Sequence, residues 1–414
     1  MTSPARSLRR TAAAGVALLP ALLGGACARP DRPPAAASAA AAPVPLASLP
    51  PIRHVFVIVL ENSSYAANFG PGSPAPYLAD TMVRAGALLT QYYATGHNSL
   101  DNYLAMIGGV APTPQTQGDC QRYAEFVQTG TAPDGQPVGR GCIYPASVPT
   151  IANQLEARHL TWKGYMEDMG NDPAREAARC GHAPIGAVDA TERAERGDEY
   201  AAKHDPFVYF HSILDTPACA ANVVPLTALP ADLASVATTP TFAFIVPNLC
   251  HDAHDRPCVD GRPGGLAEAD RWLAAWVPRI TASPAFRAGG LLVVTLDEAD
   301  GSDASACCGE LSGPNTPQAG MSGPGGGRTG AVLLSPFIKP GTVSDVPYNH
   351  YALLRSIEDL FGLAHLGYAG APGLASFGGD VYTAPDRGGR GSGAAVAPPA
   401  GARPDARGAA AAPR

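Results

Sequence analysis

No run of lysine and arginine interrupts the interior of this 414-residue chain, whose formal net charge is −7. That balance excludes the basic footprint a nucleic-acid partner requires. No Cys-x-x-Cys pair occurs, so a cysteine-built structural zinc site is set aside. No Gly-Lys-Ser/Thr follows the glycine-rich stretch Gly325–Gly330, which is therefore not a Walker phosphate loop. No internal repeat is evident. Nor does the apolar run Thr11–Leu23 suffice for a membrane span, being short and broken by Pro20.

That run does fit a leader. Arg6, Arg9 and Arg10 precede it and small residues follow, so residues 1–28 read as a secretory or lipoprotein signal. Ala26-Cys27-Ala28 suits a cleavage site. Leu23-Gly-Gly-Ala-Cys27 instead resembles a lipoprotein box, which would anchor the protein to the outer cell surface through a lipid on Cys27. Residues 29–50, rich in Ala and Pro, read as a linker, and residues 384–414 as a disordered tail. Between them, residues 51–383 are enough for one large domain with a substantial core. Cysteine usage agrees with export. Eight cysteines remain besides Cys27, and proximity favours Cys120–Cys142 and Cys250–Cys258; Cys180–Cys219 is a further candidate, and Cys307 and Cys308 either form a vicinal bridge or pair elsewhere.

Four short apolar runs read as buried strands: His54–Leu60, Thr241–Val246, Leu291–Leu296 and Ala331–Leu334. Helical spacing marks residues 76–87, 150–158, 267–280 and 350–361, and also the stretch from Ser99 to Gly108. Continuous apolar strands among helices predict an α/β fold with a mostly parallel central sheet covered by helices on both faces. Three of the strands end in groups that suit a cation: Glu61-Asn62, then Asn248 leading to His251-Asp252-Ala253-His254-Asp255, and Asp297-Glu298. In an open parallel sheet these ends form one ligand-binding edge. The oxygen-rich set suits Mg2+, Ca2+ or Mn2+, and imidazoles would also admit zinc or iron. Ser99, at the start of a helix, reads as an N-cap whose hydroxyl faces free N–H groups and the positive dipole end, where phosphate is welcome.

These pieces together carry a resemblance. His54-Val-Phe-Val-Ile-Val-Leu-Glu-Asn62 with Tyr65, Ala94-Thr-Gly-His-Asn-Ser-Leu-Asp-Asn-Tyr103 and Lys203-His-Asp-Pro-Phe-Val-Tyr-Phe210 come first. Pro247-Asn-Leu-Cys-His-Asp-Ala-His-Asp255, Thr295-Leu-Asp-Glu298, Gly325-Gly-Gly-Arg-Thr-Gly330 and Asn349-His-Tyr-Ala-Leu-Leu-Arg-Ser-Ile-Glu-Asp359 follow. In this order they resemble the bacterial phosphoesterase family of secreted acid phosphatases and phospholipases C, within the alkaline phosphatase superfamily. The resemblance implies that Glu61, Asn62, Asp297 and Glu298 hold a divalent metal and that Ser99 is the nucleophile. The superfamily's nucleotide pyrophosphatases carry a Thr-Phe-Pro-Asn segment similar to Ser99-Leu-Asp-Asn102, which implies that Asn102 meets a phosphate oxygen. His97, His254 and His350 resemble phosphate-binding or leaving-group histidines, their roles undivided. Asn98 stands where many relatives have Pro, which should loosen the turn.

Other residues are read more plainly. His204 is taken as structural, His159, His182, His211 and His365 as surface or core, and Trp272 and Trp276 as core packing. Residues 300–327 read as a loop over the site, with Arg328 able to meet substrate charge. The expectation is a secreted, metal-dependent phosphomonoesterase of acid phosphatase type, with a phosphoseryl intermediate and phosphoinositides as a substrate class by resemblance. A phospholipase C-type phosphodiesterase is the alternative on the same machinery. An inactive cell-surface binding protein is the alternative of another class.

Overall fold

The computed structural model describes residues 49–383. The expected leader with Cys27, nearly all of the linker and the tail lie outside these residues. Twelve strands occur among them: β1 (His54–Leu60), β2 (Ala87–Leu89), β3 (Tyr92–Tyr93), β4 (Val127–Thr131), β5 (Pro137–Arg140), β6 (Trp162–Met166), β7 (Val223–Pro225), β8 (Phe242–Val246), β9 (Gly290–Leu296), β10 (Ala331–Leu334), β11 (Thr342–Ser344) and β12 (Tyr348–Asn349). Eight form the central sheet in the order β11-β2-β10-β9-β1-β8-β6-β7. Within it only β10 runs antiparallel to its neighbours, β9 and β2. The α/β expectation of a mostly parallel sheet is met.

Alternation along each strand feeds two cores. In β1, Val55, Val57 and Val59 join Val293 of β9 and Phe244 of β8 on one face, against Leu100, Leu104 and Ile107 of the helix Ser99–Gly108 and Leu353, Leu354 and Ile357 of the helix His350–Phe361. Phe56, Ile58 and Leu60 point the other way, toward Trp272, Leu273, Val277 and Ile280 of the helix Leu266–Thr281. Every residue of β1 is buried, so each apolar side chain stabilises by roughly 1.5–3 kcal/mol. Trp272 is a core residue as expected, but Trp276 sits at the core's edge, half-buried, with Arg279 over its ring at 4.9 Å.

The topology places the chemistry. β1, β8 and β9 are parallel, so Glu61, Asn248 and Asp297 leave the sheet on one edge. Because β10 runs back antiparallel beside β9, the connection from Asp297 to Gly330 stays at that edge instead of crossing a face. Four disulfides, Cys120–Cys142, Cys180–Cys219, Cys250–Cys258 and Cys307–Cys308, tie the long loops. Cys120–Cys142 and Cys250–Cys258 are the pairs that proximity favours, and of the alternatives open to Cys307 and Cys308 the vicinal bridge is the one formed.

Candidate active site

Glu61 follows the last residue of β1 and is fully buried. Its carboxylate gathers three donors. Ser99 Oγ donates to Oε2 at 2.9 Å, Asn62 Nδ2 donates to the same oxygen at 3.1 Å, and Tyr103 Oη donates to Oε1 at 2.7 Å. Ser99 and Tyr103 are one helical turn apart, which is why one helix can present both to one carboxylate. Asp297, just past β9, accepts the backbone N–H groups of Asn62 at 3.1 Å and of Glu298 at 2.6 Å on Oδ1. Its Oδ2 is buried and has no hydrogen-bond partner among the described residues.

A second group meets Glu61 from the other side. His204 Nε2 stands 3.3 Å from Glu61 Oε1, and His204 Nδ1 stands 3.4 Å from Asp252 Oδ2. The imidazole stacks on Tyr103, ring centres 5.2 Å apart and planes 11° from parallel. Glu61, His204 and Asp252 are all buried and offer ligand atoms close enough for one ion. Asp252 Oδ2 and His204 Nε2 make no hydrogen bond among the described residues. His204, read from sequence as structural, lies at the centre of the polar cluster.

The electrostatics follow from this crowding. Burial first, and then the charge of Asp297, pushes Glu61 well above the ordinary carboxylate range. Burial and Glu61 do the same to Asp252, and burial and Glu298 do so to Asp297. His204 is pushed well down by burial, with Lys203 and His254 adding to the effect, so it is neutral and able to ligate. Three buried acids, a neutral imidazole and unpartnered oxygens on two of the acids fit a divalent cation, whose charge would reverse the unfavourable terms.

The remaining expected site residues fall into distinct places. Glu298 turns its Oε2 to His97 Nδ1 at 2.6 Å and to the Asn98 N–H at 2.8 Å, so it braces the serine turn. His97 also bonds the Asp303 carbonyl through Nε2 at 3.0 Å. Burial opposes its charged form, yet Glu298 and Asp303 outweigh this and its pKa is raised. His350 bonds Tyr92 Oη through Nδ1 and the Asp297 carbonyl through Nε2, and burial holds its pKa down at about 4. With both nitrogens engaged and no charge at neutral pH, it braces Asp297 and is not placed to protonate a leaving group. His254 is half-buried, its Nδ1 bonded to Asp255 at 2.8 Å, while its Nε2 makes no hydrogen bond among the described residues. Its ring centre lies 6.1 Å from that of His204.

Two details of the serine turn differ from expectation. Asn102 does not present its amide to the mouth. Oδ1 accepts from Thr95 N–H, Thr95 Oγ1 and Gly96 N–H, and Nδ2 donates to the carbonyls of Gly96 and Asn98. It is a latch on the turn, not an open phosphate donor. Nor is Ser99 the N-cap. Asn98 holds that position at φ 69° and ψ 142°, and the Ser99 hydroxyl is released toward Glu61. Asn98 tightens the turn rather than loosening it, since its N–H goes to Glu298 and its amide to the Gln117 carbonyl. Proline could supply neither bond. Tyr103 reads from sequence as part of an apolar stripe, and Asp252 as one acid within a mixed run. Only the burial of both beside Glu61 sets them apart.

Comparison with known proteins places the chain in a family. A family model described as the phosphoesterase family matches residues 73–364. A phosphatidylinositol-3-phosphatase of Mycobacterium tuberculosis is 28% identical over 80% of this chain and 85% of its own length. A phosphate-repressible acid phosphatase of Penicillium chrysogenum is 26% identical over 69% of this chain and 54% of its own. An acid phosphatase of Aspergillus fumigatus is 25% identical over 68% and 50%. The chain thus spans about half the length of those two fungal relatives. Among solved structures, the match to a protein of the alkaline phosphatase superfamily from Vibrio parahaemolyticus covers 76% of this chain and 67% of that one, at 13% identity and a TM-score of 0.42.

Proposed function

The chain belongs to the phosphoesterase family, and from that premise we propose that this phosphoric ester hydrolase is a metal-dependent phosphomonoesterase with Ser99 as its nucleophile. One observation carries the reading. The Ser99 hydroxyl, standing at a helix start, is not used as a cap and points into a nest of buried acids through its 2.9 Å bond to Glu61.

Glu61, Asn62, Asp297 and Glu298 would hold the cation as the resemblance implies, and His204 and Asp252, whose ligand atoms lie with those of Glu61, would add to the set. Such an ion, when bound, lowers the pKa of a serine hydroxyl and offsets charge on phosphate oxygens. The rest is done by the chain. Ser99 Oγ passes its proton to Glu61 Oε2 and attacks phosphorus in line, the ester oxygen leaves, and a phosphoseryl bond forms that water then breaks. The N–H of Ser99 makes no hydrogen bond among the described residues, so it and the dipole of its helix can receive a phosphate oxygen. Of His97, His254 and His350, His254 is the one with a ring nitrogen free of a hydrogen bond among the described residues, and it would donate a proton to the departing alkoxide. Glu298, His97 and Asn102 keep the turn rigid around the nucleophile.

The phosphatidylinositol-3-phosphatase relative supports phosphoinositides as a substrate class, and the four cystines support an exported protein. The test compares p-nitrophenyl phosphate, p-nitrophenyl phosphorylcholine and a short-chain phosphatidylinositol phosphate, each with and without EDTA. Cleavage of the monoesters, lost with EDTA and restored by divalent ions, is the expected result. Cleavage of the phosphorylcholine diester alone moves the substrate class to phosphodiesters. No turnover of any substrate across pH and added metals favours a binding protein.

A further inference from the structure

The helix that carries Ser99 has no cap of its own. Asn98 occupies the N-cap position, yet its side chain makes no bond to the helix and goes to the Gln117 carbonyl. The donor that an N-cap side chain would satisfy, the N–H of Leu100, is met from elsewhere. Asp119 Oδ1 accepts it at 3.0 Å. The other oxygen of Asp119, Oδ2, takes Lys203 Nζ at 3.3 Å, both side chains being largely buried. Asp119 is held in the left-handed region at φ 55°, and Cys120 beside it is tied to Cys142. Lys203 precedes His204, whose ring lies on Tyr103 of the same helix and 3.3 Å from Glu61.

We propose that Asp119 is a positioning residue: a cap brought in from outside the helix, steadied by Lys203, that leaves the Ser99 hydroxyl free to act. The proposal rests on the reading of Ser99 as nucleophile. A serine at a helix start is drawn to accept from the free N–H groups of the first turn, which would rotate its oxygen away from phosphorus. With the Leu100 donor already satisfied by a carboxylate, Asn98 can spend its amide on Gln117, and the first turn is capped without calling on the serine. The negative charge at the helix start is itself favourable to the dipole, and Lys203 keeps it from adding to the acids around Glu61. Two independent bonds, from Asn98 to Gln117 and from Leu100 to Asp119, fasten the serine turn to one segment anchored by the Cys120–Cys142 bridge.

The experiment compares Asp119→Ala, Asp119→Asn, Ser99→Ala and wild type on p-nitrophenyl phosphate at saturating metal. Thermal melts and hydrogen–deuterium exchange of the peptide around Ser99–Leu104 accompany the kinetics. Asp119→Ala is expected to lower kcat about tenfold to a hundredfold with KM within about twofold, as misplacement of a nucleophile does. Exchange at the helix start should rise with it. Asp119→Asn keeps an acceptor for Leu100 but loses the ion pair, and is expected to stay within about threefold of wild type in kcat. A merely structural ion pair would make the two variants equally harmful in step with their melts, which would overturn the proposal. So would wild-type kcat in Asp119→Ala while Ser99→Ala is dead. If Asp119→Ala does not fold, loss of kcat in a folded Asp119→Asn overturns it as well. An active Ser99→Ala would instead sink the nucleophile reading on which it rests.

Discussion

Among the three histidines near the mouth, hydrogen bonding separates the roles. His350 spends both ring nitrogens on Tyr92 and the Asp297 carbonyl, whereas His254 keeps Nε2 open. Loss of a proton donor should hurt most when the leaving group is a poor one. His254→Gln is therefore expected to slow an alkyl phosphate by about a hundredfold while slowing p-nitrophenyl phosphate by less than about tenfold. His350→Gln should slow both alike and lower the melting temperature. Steady-state kinetics on the two substrates checks this, and equal slowing by His254→Gln would remove it as the acid. At this scale the sequence shows the acids that end β1 and β9, because charge directly after an apolar run is visible in one dimension. His204, Asp252 and Tyr103 do not stand out. Their part depends on three separate segments meeting around one carboxylate, and nothing local to Lys203-His204 or to the Ser99 helix records that meeting.

The serine turn and the loop that covers it act as one element. Gly326 N–H donates to the Ala94 carbonyl at 3.1 Å, and the Ala94 N–H donates to the Gly327 carbonyl at 2.9 Å. A Cβ on Gly326 would overlap the Gly96 carbonyl, which is backbone and cannot step aside cheaply. Gly326→Ala should therefore displace the turn that carries His97, Asn98 and Ser99. A fall in kcat of about tenfold or more is expected from a shift of that order, and an unchanged kcat would show that the loop is not coupled to the turn. The glycine-rich loop and the four central strands are legible in sequence, the strands because fully buried parallel strands read as unbroken apolar runs. The edges are not. β2, β7 and β11 are three residues each, and Lys163 and Gly164 interrupt the apolar pattern of β6. Such strands form because the sheet's edge is there to receive them, which is a property of the fold and not of the segment.

For the molecule as a whole, some acids lie buried without a salt bridge among the described residues. Burial pushes Asp205 up to about 8, and Glu358, in the helix His350–Phe361, up to about 8 as well. The unfolded chain releases these protons near pH 4, as exposed carboxyls do, while the folded chain keeps them to about pH 8. Folding thus binds protons across that window, so stability from these groups is full on the acid side and is lost as pH rises toward 8. Glu358 Oε1 accepts the Leu366 N–H at 2.9 Å and Oε2 has no partner, an arrangement that an amide can reproduce. Glu358→Gln should leave the melting temperature unchanged below about pH 4 and raise it by roughly 1–2 °C at pH 8.5, as expected for about 1 kcal/mol in a domain of this size. Melts across pH would check it, and an unchanged or lowered melting temperature at pH 8.5 would contradict the assignment.

The measurement that bears most directly on the account is chemical trapping of the covalent intermediate. Wild type and Ser99→Ala would be mixed with a phosphomonoester at saturating metal, quenched in acid within the first turnovers, digested and read by mass spectrometry. A phosphoryl group on the peptide containing Ser99 in wild type, with none there and no turnover in Ser99→Ala, is the predicted result. Turnover at the wild-type rate by Ser99→Ala, or a phosphoryl group on another residue, would contradict it.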